Sequence, residues 1–484
     1  MKHSNALIAL STVHMLETAQ FLNELNVQCL RMVMEQKRLR SEAAKRRKQK
    51  IRIKFSTFVK SISSRHFRRM FRMPLECYHM LCKRIEDGIG EEKFLSEQYI
   101  MEKLQNRSSP HGRMYEANCK TTGGYISGEV KVAIAIRILA GASYLDVSQI
   151  FGVTYSTCYE ILHHVTERWF CQDWVSAYSL EKNLTNPGEL YKTCQTFAAK
   201  GRSRGVLGGI IGALDGWLVK IRSPSWRRDG VKNSGTYFSR KGFFALNVQV
   251  IVDREKRIIW RAINARGSEH DSSAFKDSGL YTKLERIALG EVEGVAMMYD
   301  GIHLYLIGDS AYALRPFLLC PYDKAQPGSA EDVFNFMLSS NRIFVECAFG
   351  EIDARFGIFW RPLQFTLSKQ RFIIDACLRL HNFIVDYRMN ENGSDEWEKD
   401  DANHFSSECI SFLINNPEIC VGVYGNGSMG NGNGRGRPSL DEKELRVAGT
   451  ELRDHLKNRL ASLGLQRTTR TWNVDACHHT TDKY

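Results

Sequence analysis

The chain has 484 residues, of which 43% are hydrophobic and 25% charged, the proportions of an ordinary folded globular protein. No apolar run approaches the roughly 18 residues a membrane span needs, which excludes a membrane partner, and the length predicts two or three domains plus tails. The 67 Lys and Arg outnumber 54 Asp and Glu, leaving +13 and a pI near 9.1; such a balance favours polyanions through counterion release, or is no more than a solvated basic surface.

The N-terminal Met1 to Leu10 carries a short apolar patch, but Glu17 follows and no small-residue cleavage pattern is present, so no secretion signal is read. Residues 1–66 are read as a basic helical arm. Basic residues crowd between Lys37 and Arg72, including Lys45, Arg46, Arg47 and Lys48. That run is a nuclear address, a phosphate-contacting arm or a solvated helix face. Up to about Lys60 the chain is poorly suited to a core.

Residues 67–170 read as a helical domain. Phe67, Phe71, Leu75, Tyr78, Leu81 and Ile85 recur at helical spacing. After the polar stretch Asn106 to Gly112, three more helices are expected: Val130 to Leu139, Leu145 to Phe151, and, after the turn Gly152-Val153, Ser156 to Arg168. Val147, Ile150, Val153, Ile161 and Val165 would pack them. This is the pattern of a helix-turn-helix, leaving Thr154, Tyr155 and Ser156 to face a DNA groove or phosphates; an ordinary helical hairpin is the alternative.

A connector, 171–207, leads to a change of texture. Short β-branched segments at Gly208 to Ile221, Phe244 to Val252, Arg257 to Asn264 and Leu304 to Ile307 predict a mixed sheet. Helical periodicity returns over Asn341 to Phe356 and Phe372 to Tyr387. An α/β domain over 208–388 follows. Residues 389–438 turn acidic and then Gly/Asn-rich, the composition of a flexible linker. Residues 439–484 carry an amphipathic helix, Asp441 to Leu463, whose Leu445, Leu452, Leu456 and Leu460 dock back on the chain or bind a partner.

The thirteen cysteines are scattered without any two-residue-spaced pair, and Cys477-His478-His479 stands without partners. Such usage reads as reduced thiols of an intracellular protein, and a zinc finger is not expected.

Carboxylates carry the chemical signal. Asp215 follows Ile210-Ile211-Gly212-Ala213-Leu214 and is expected to project from the carboxyl edge of a central strand, where α/β sheets place ligands. Asp309 follows Leu304 to Gly308 in the same manner. Two such aspartates share a metal if their strands are neighbours, and Glu346, one residue past an apolar helix face, would lean along the same edge. Asp271 is either a further metal ligand or a cap for a helix beginning at Ser272. Oxygen donors of this kind suit Mg²⁺ and Mn²⁺, which can activate a water or a 3′-hydroxyl. The basic Arg222 to Lys232 loop with Trp226, and Arg240 and Lys241, are phosphate contacts or a solvated surface.

Six blocks then occur in order: Ile211 to Gly216; Arg240-Lys241-Gly242 with Asn247-Val248-Gln249; Gly267-Ser268-Glu269-His270-Asp271-Ser272; Gly308-Asp309-Ser310-Ala311-Tyr312; Arg342 through Phe349; and Leu380-His381-Asn382-Phe383. Together they resemble the PIF/Harbinger superfamily of DDE transposases and their domesticated nuclease relatives. The resemblance covers about Gly208 to Tyr387. It implies an RNase H-like mixed sheet flanked by helices, preceded by a helix-turn-helix-like domain; a metal-binding triad of Asp215, Asp309 and Glu346, with Asp271 as a fourth site acid; and a nuclear location with a Myb-like accessory protein. Residues Glu291 to Gly294 and Met297 to Gly301 stand as insertions before the second strand, making Asp300 a competitor for the place of Asp309.

The expectation is a DNA endonuclease or transposase that hydrolyses phosphodiesters and transfers strands with a divalent metal, working alone or as a homodimer. The alternatives are a domesticated DNA-binding protein that no longer cuts, and a metal-dependent hydrolase acting on other phosphate substrates.

Overall fold

The computed structural model describes residues 24, 27, 28, 30–38, 55–90, 94, 126–200, 203, 205–292, 297–299, 301–390 and 440–466. Lys45, Arg46, Arg47, Lys48, Asp300, the Gly/Asn-rich segment and Cys477-His478-His479 lie outside the described residues. The chain divides into two units, Met1–Arg52 with Asn106–Tyr125, and Ile53–Gln105 with Ile126–Tyr484. In the first, residues 30–38 form an exposed helix in which Arg38 pairs with Glu35 at 3.3 Å.

The second unit opens with α1 (Phe55–Lys60), α2 (Ser64–Phe71) and α3 (Leu75–Ile89). Contrary to the sequence expectation, the core begins before Lys60. Phe55 is buried, its ring 5.3 Å from that of Tyr78 and 6.5 Å from that of Phe71. One large ring burying its apolar surface among aromatic neighbours outweighs the polar run around it.

Next come α4 (Gly128–Leu139), α5 (Tyr144–Ile150) and α6 (Tyr155–Val165), each started by a hydroxyl cap from Ser127, Ser143 or Thr154. The turn into α6 places Gly152 at φ 59°, a left-handed conformation that favours glycine. Residues Val132 to Ile136 are buried without a break, so α4 is a central helix rather than a surface one. The last helix is shorter than its periodicity suggests. At Val165 it widens into a π-helical turn over Thr166–Phe170, where the buried Thr166 hydroxyl donates to the Leu162 carbonyl at 2.8 Å and perturbs the ladder.

After α7 (Pro187–Lys200) the chain enters the sheet with β1 (Ile210–Lys220), β2 (Ala245–Val252) and β3 (Ile258–Arg266), three antiparallel strands. Then α8 (Asp271–Lys276) and α9 (Gly279–Ala288) follow, and a hairpin of β4 (Met298–Tyr299) and β5 (Ile302–His303) precedes β6 (Tyr305–Ile307) and β7 (Leu318–Leu319). The sheet order is β3-β2-β1-β6-β7, with β6 parallel to both neighbours. It is a five-stranded mixed sheet in an α/β arrangement. The insertion at Met297 to Gly301 is the β4–β5 hairpin, outside this sheet.

Two long helices, α10 (Ala330–Arg355) and α11 (Leu367–Asn390), complete the layer, and α12 (Leu440–Ser462) follows. Helix α10 starts well before its apolar periodicity because Ser329 caps it and Glu331 and Asp332 sit in its first turn, favourable to the positive end of the helix dipole. A register shift between Ile210 and Gly212 sets which side each later β1 residue faces. Ala213, Trp217 and Val219 join a core shared with α10, α11 and the N-terminal helices, while Leu214 joins a second core with Phe275 and Leu280. Among the described residues, no helix is long and apolar enough to cross a membrane.

Candidate active site

Asp215 occupies a middle position of β1, opposite Val250. The expectation that it ends the strand is corrected: β2 pairs with β1 as far as Lys220 and carries the strand on. The parallel partner stops sooner, since the last β1–β6 pair is Ala213 with Ile307. Asp215 therefore stands two residues past the end of parallel pairing. Asp309 stands two residues past the same pair on the neighbouring strand, its Oδ1 accepting from the Ala311 N–H at 2.9 Å. The strand-neighbour condition for two aspartates to cooperate is met.

Successive strand residues face opposite sides. Asp215 thus shares a face with Trp217, whose ring stacks on Phe349 of α10 at 5.8 Å. Glu346 lies one turn before Phe349, with 46% of its side chain exposed. Between them lies Arg342, a residue to which the sequence reading assigned no role. Its Nη2 is 3.3 Å from Glu346 Oε1 and 3.8 Å from Asp215 Oδ2, and its Nε is buried without a hydrogen-bond partner. The signal was present in the sequence: a cation four residues before an acid on one helix shares its face.

The electrostatics tie the three acids together. Burial pushes the Asp215 carboxyl up to about 7; Arg342 and the Gly216 N–H, which donates to Oδ1 at 2.8 Å, oppose the rise, and Asp309 and Glu346 add to it. Partial burial raises Glu346 as well, with Arg342 opposing and Asp309 adding. A cluster short of positive charge leaves its most buried member reluctant to ionise.

Asp271 is placed elsewhere. It is the first residue of α8, and His270 takes the cap position, so the cap expectation for Asp271 is corrected by one residue. Its Oδ1 accepts from Asn247 Nδ2 at 2.9 Å and Gln249 Nε2 at 3.0 Å, while Arg240 Nη2 is 3.5 Å from Oδ2. Gln249 also accepts from the Tyr312 hydroxyl at 2.6 Å. This network lies on the face of β1 that Gly216 presents, opposite to Asp215: a Cβ at Gly216 would meet Asp271 Oδ1 at 2.1 Å. The structure brings Asp215, Asp309 and Glu346 to one face and Asp271 to the other.

Of the remaining sequence candidates, Arg240 and Lys241 are exposed on the β1–β2 connection, as is Trp226, with Lys232 5.8 Å from its ring. Thr154 is committed to capping α6, accepting from Thr157 N at 3.1 Å, whereas Tyr155 and Ser156 are exposed. Further along α6, Tyr159 and His163 pack on Phe365, which covers that part of the helix.

Residues 214–382 match the family model described as DDE superfamily endonuclease, a span that begins beside Asp215 and ends at Asn382. The chain is similar to Protein ALP1-like of Arabidopsis thaliana, 25% identical over 279 residues, covering 55% of this chain and 63% of that one. It is similar to HARBI1 of Homo sapiens, named as a candidate nuclease, 27% identical over 192 residues, 39% of this chain and 48% of that one. Residues 214–382 are thus similar to the DDE superfamily endonucleases, and the relatives that match support a likeness to Harbinger-derived proteins of that kind. The chain's matches span less than two thirds of the length of these relatives. No solved structure matches it. DDE endonucleases are RNase H-like, and the five-stranded mixed sheet of this chain agrees with that class.

DDE endonucleases typically use divalent metals. The donor set here fits such an ion in kind: three carboxylates from β1, the end of β6 and α10 are hard oxygen ligands, mutually repelling and deficient in countercharge. Their spacing is wider than a ligand shell. Among the described residues no three His, Cys, Asp or Glu side chains stand close enough to enclose an ion, and the Arg342 guanidinium lies between Asp215 and Glu346.

Proposed function

We propose that this protein is a metal-dependent DNA endonuclease of the Harbinger-derived kind, with Asp215, Asp309 and Glu346 as its catalytic carboxylates. The observation that carries the reading is the placing of three acids from two adjacent strands and one helix on one face, two of them sharing Arg342, within the span matched by the DDE endonuclease model. A bound Mg²⁺ or Mn²⁺ supplies Lewis acidity at the phosphodiester and lowers the pKa of water.

The chain's own groups do the rest. Asp215 from within β1 and Asp309 from just past β6 set the position of the ligands, and Glu346, half exposed on α10 and paired with Arg342, reaches the same face. Asp271 acts as a positioning residue, holding Arg240 beside the sheet while Asn247 and Gln249 hold Asp271. Arg240, Lys241 and the Trp226 loop line the approach of the DNA backbone, with Tyr155 and Ser156 of α6 and the basic Lys45 to Lys48 run as further contacts. Strand transfer by a freed 3′-hydroxyl at the same site, a nuclear location, a Myb-like partner and work as a homodimer complete the proposal.

The test is nicking of a mixed duplex substrate with Mg²⁺ or Mn²⁺ by the wild type, Asp309→Ala and Glu346→Ala, under conditions where all three bind DNA. Metal-dependent cutting lost by at least about a hundredfold in both variants is the expected result, the scale of removing groups that act in the transition state. Binding without cutting by the wild type, even with a Myb-like partner supplied, would make the chain a DNA-binding relative that has lost the chemistry.

A further inference from the structure

Among the described residues, Arg342 pairs with two of the three proposed ligands. It sits one turn before Glu346 on α10, with its side chain 17% exposed, and reaches across to Asp215. A guanidinium and a divalent cation compete for the same carboxylate oxygens, so each weakens the other's hold. Asp215 Oδ2 and Glu346 Oε1 both face one nitrogen, Arg342 Nη2, which stands between them.

Once displaced, Arg342 would carry a positive charge at the edge of the site with no carboxylate to meet it, and its Nε is already buried without a partner. A buried cation of this kind needs an anion. The anion that enters such a site is a DNA phosphate, which matches the planar fork of a guanidinium.

We infer that Arg342 is a stand-in cation that couples metal loading to DNA binding. With no phosphate at hand it holds Asp215 and Glu346 and weakens metal affinity; a phosphate takes Arg342 over and releases the two acids to the metal. Binding linkage is reciprocal, so metal and DNA each tighten the other through this side chain. The inference rests on the proposed carboxylate site.

Mn²⁺ affinity measured by titration calorimetry on the full chain, with and without a short duplex carrying non-hydrolysable phosphorothioate linkages, tests it without reference to turnover. In the wild type, DNA is expected to tighten Mn²⁺ binding by at least about fivefold, the lower end of ordinary coupling. Arg342→Gln is expected to bind Mn²⁺ at least about fivefold more tightly than the wild type in the absence of DNA, with the effect of DNA largely gone. Arg342→Lys, which keeps the charge, should stay closer to the wild type. A purely structural arginine would lower affinity when removed, so equal or weaker binding by folded Arg342→Gln overturns the inference. So does wild-type affinity that DNA does not change, a reading that needs no variant. Asp309→Asn separates the two levels: if it abolishes Mn²⁺ binding while the Arg342 results fail, the site stands and the coupling falls. If it leaves Mn²⁺ binding intact, both fall.

Discussion

Asp215 is where burial bears most directly on the proposed site. Folding raises its carboxyl from 3.8 to about 7, so the protonated form is favoured in the folded state. The stabilisation is complete below about pH 4 and is lost as the pH rises through about 7. Asp215→Asn removes that dependence. With metal chelated, the variant should gain on the wild type by about 1.4 kcal/mol per pH unit between pH 5 and 7 and level off above. Denaturant unfolding across that range reads it directly, and a constant difference would show that the carboxyl is ionised throughout.

Its neighbour Gly216 is held for a different reason. A methyl there would meet Asp271 Oδ1 at 2.1 Å and Gln249 Nε2 at 2.7 Å, two short side chains already bonded to each other. Gly216→Ala is therefore predicted to cost about 1–3 kcal/mol, the price of overpacking, and to disturb the Asp271 network along with stability. An unfolding midpoint equal to that of the wild type would mean that Asp271 can move aside freely.

At the scale of elements, the block Leu380 to Phe383 turns out to be a clamp rather than chemistry. Asn382 accepts from the Ile258 N–H at 2.7 Å and donates to the Ile258 carbonyl at 2.8 Å, so its amide satisfies the backbone at the start of the edge strand β3. His381, pushed down to about 3 by burial and by Arg355, stays neutral and bonds the Lys256 carbonyl at 2.8 Å in the β2–β3 turn. Helix α11 thereby fixes the hairpin that supports β1. The sequence resemblance marked these residues, but a motif shows that positions belong together without showing whether they react or hold.

Helix α12 docks back on the chain, one of the two fates its leucines allowed. Leu445, Leu456 and Leu460 are buried, Gly449 lies against the Arg315 backbone, and Arg453 covers the Tyr322 ring at 3.9 Å while bonding the Pro321 carbonyl at 3.1 Å. Its main neighbour is α10, the helix that carries Arg342 and Glu346. Leu460 is fully buried, so Leu460→Ala should cost about 2–5 kcal/mol, whereas Leu463→Ala, at an exposed position, should stay within about 0.5 kcal/mol. Chemical unfolding of the two variants checks this; an unmoved main transition for Leu460→Ala would mean that α12 melts separately from the sheet.

Across the whole molecule, the N-terminal helices and one face of the sheet share a continuous core, from Phe55 through Val165 to Val219 and Ile384. The proposed DNA-reading helix α6 and the candidate active site are thus parts of one packed body, and α6 is covered along Tyr159 and His163 by the segment around Phe365. Strands β1, β2, β3 and β6 and helices α4, α5, α6 and α11 were legible because apolar spacing reports which face of an element is buried, whereas β7 and α7 fell outside that reading. The sequence pointed to the proposed acids as a set, but its expectation that Asp215 ends a strand gave way to a place inside β1.

The amino-acid sequence alone determined the α/β class and pointed to the likeness with DDE endonucleases and to the three proposed acids, since these rest on local periodicity and on residue types in a fixed order. Only the tertiary structure decided that Asp271 faces away from Asp215, because side-chain facing depends on strand register and on a shift at Ile210 that no local pattern encodes. Only it placed Arg342 between Asp215 and Glu346. A charge acquires its meaning from the charges folding brings within a few ångströms of it, and those come from parts of the chain far apart in sequence.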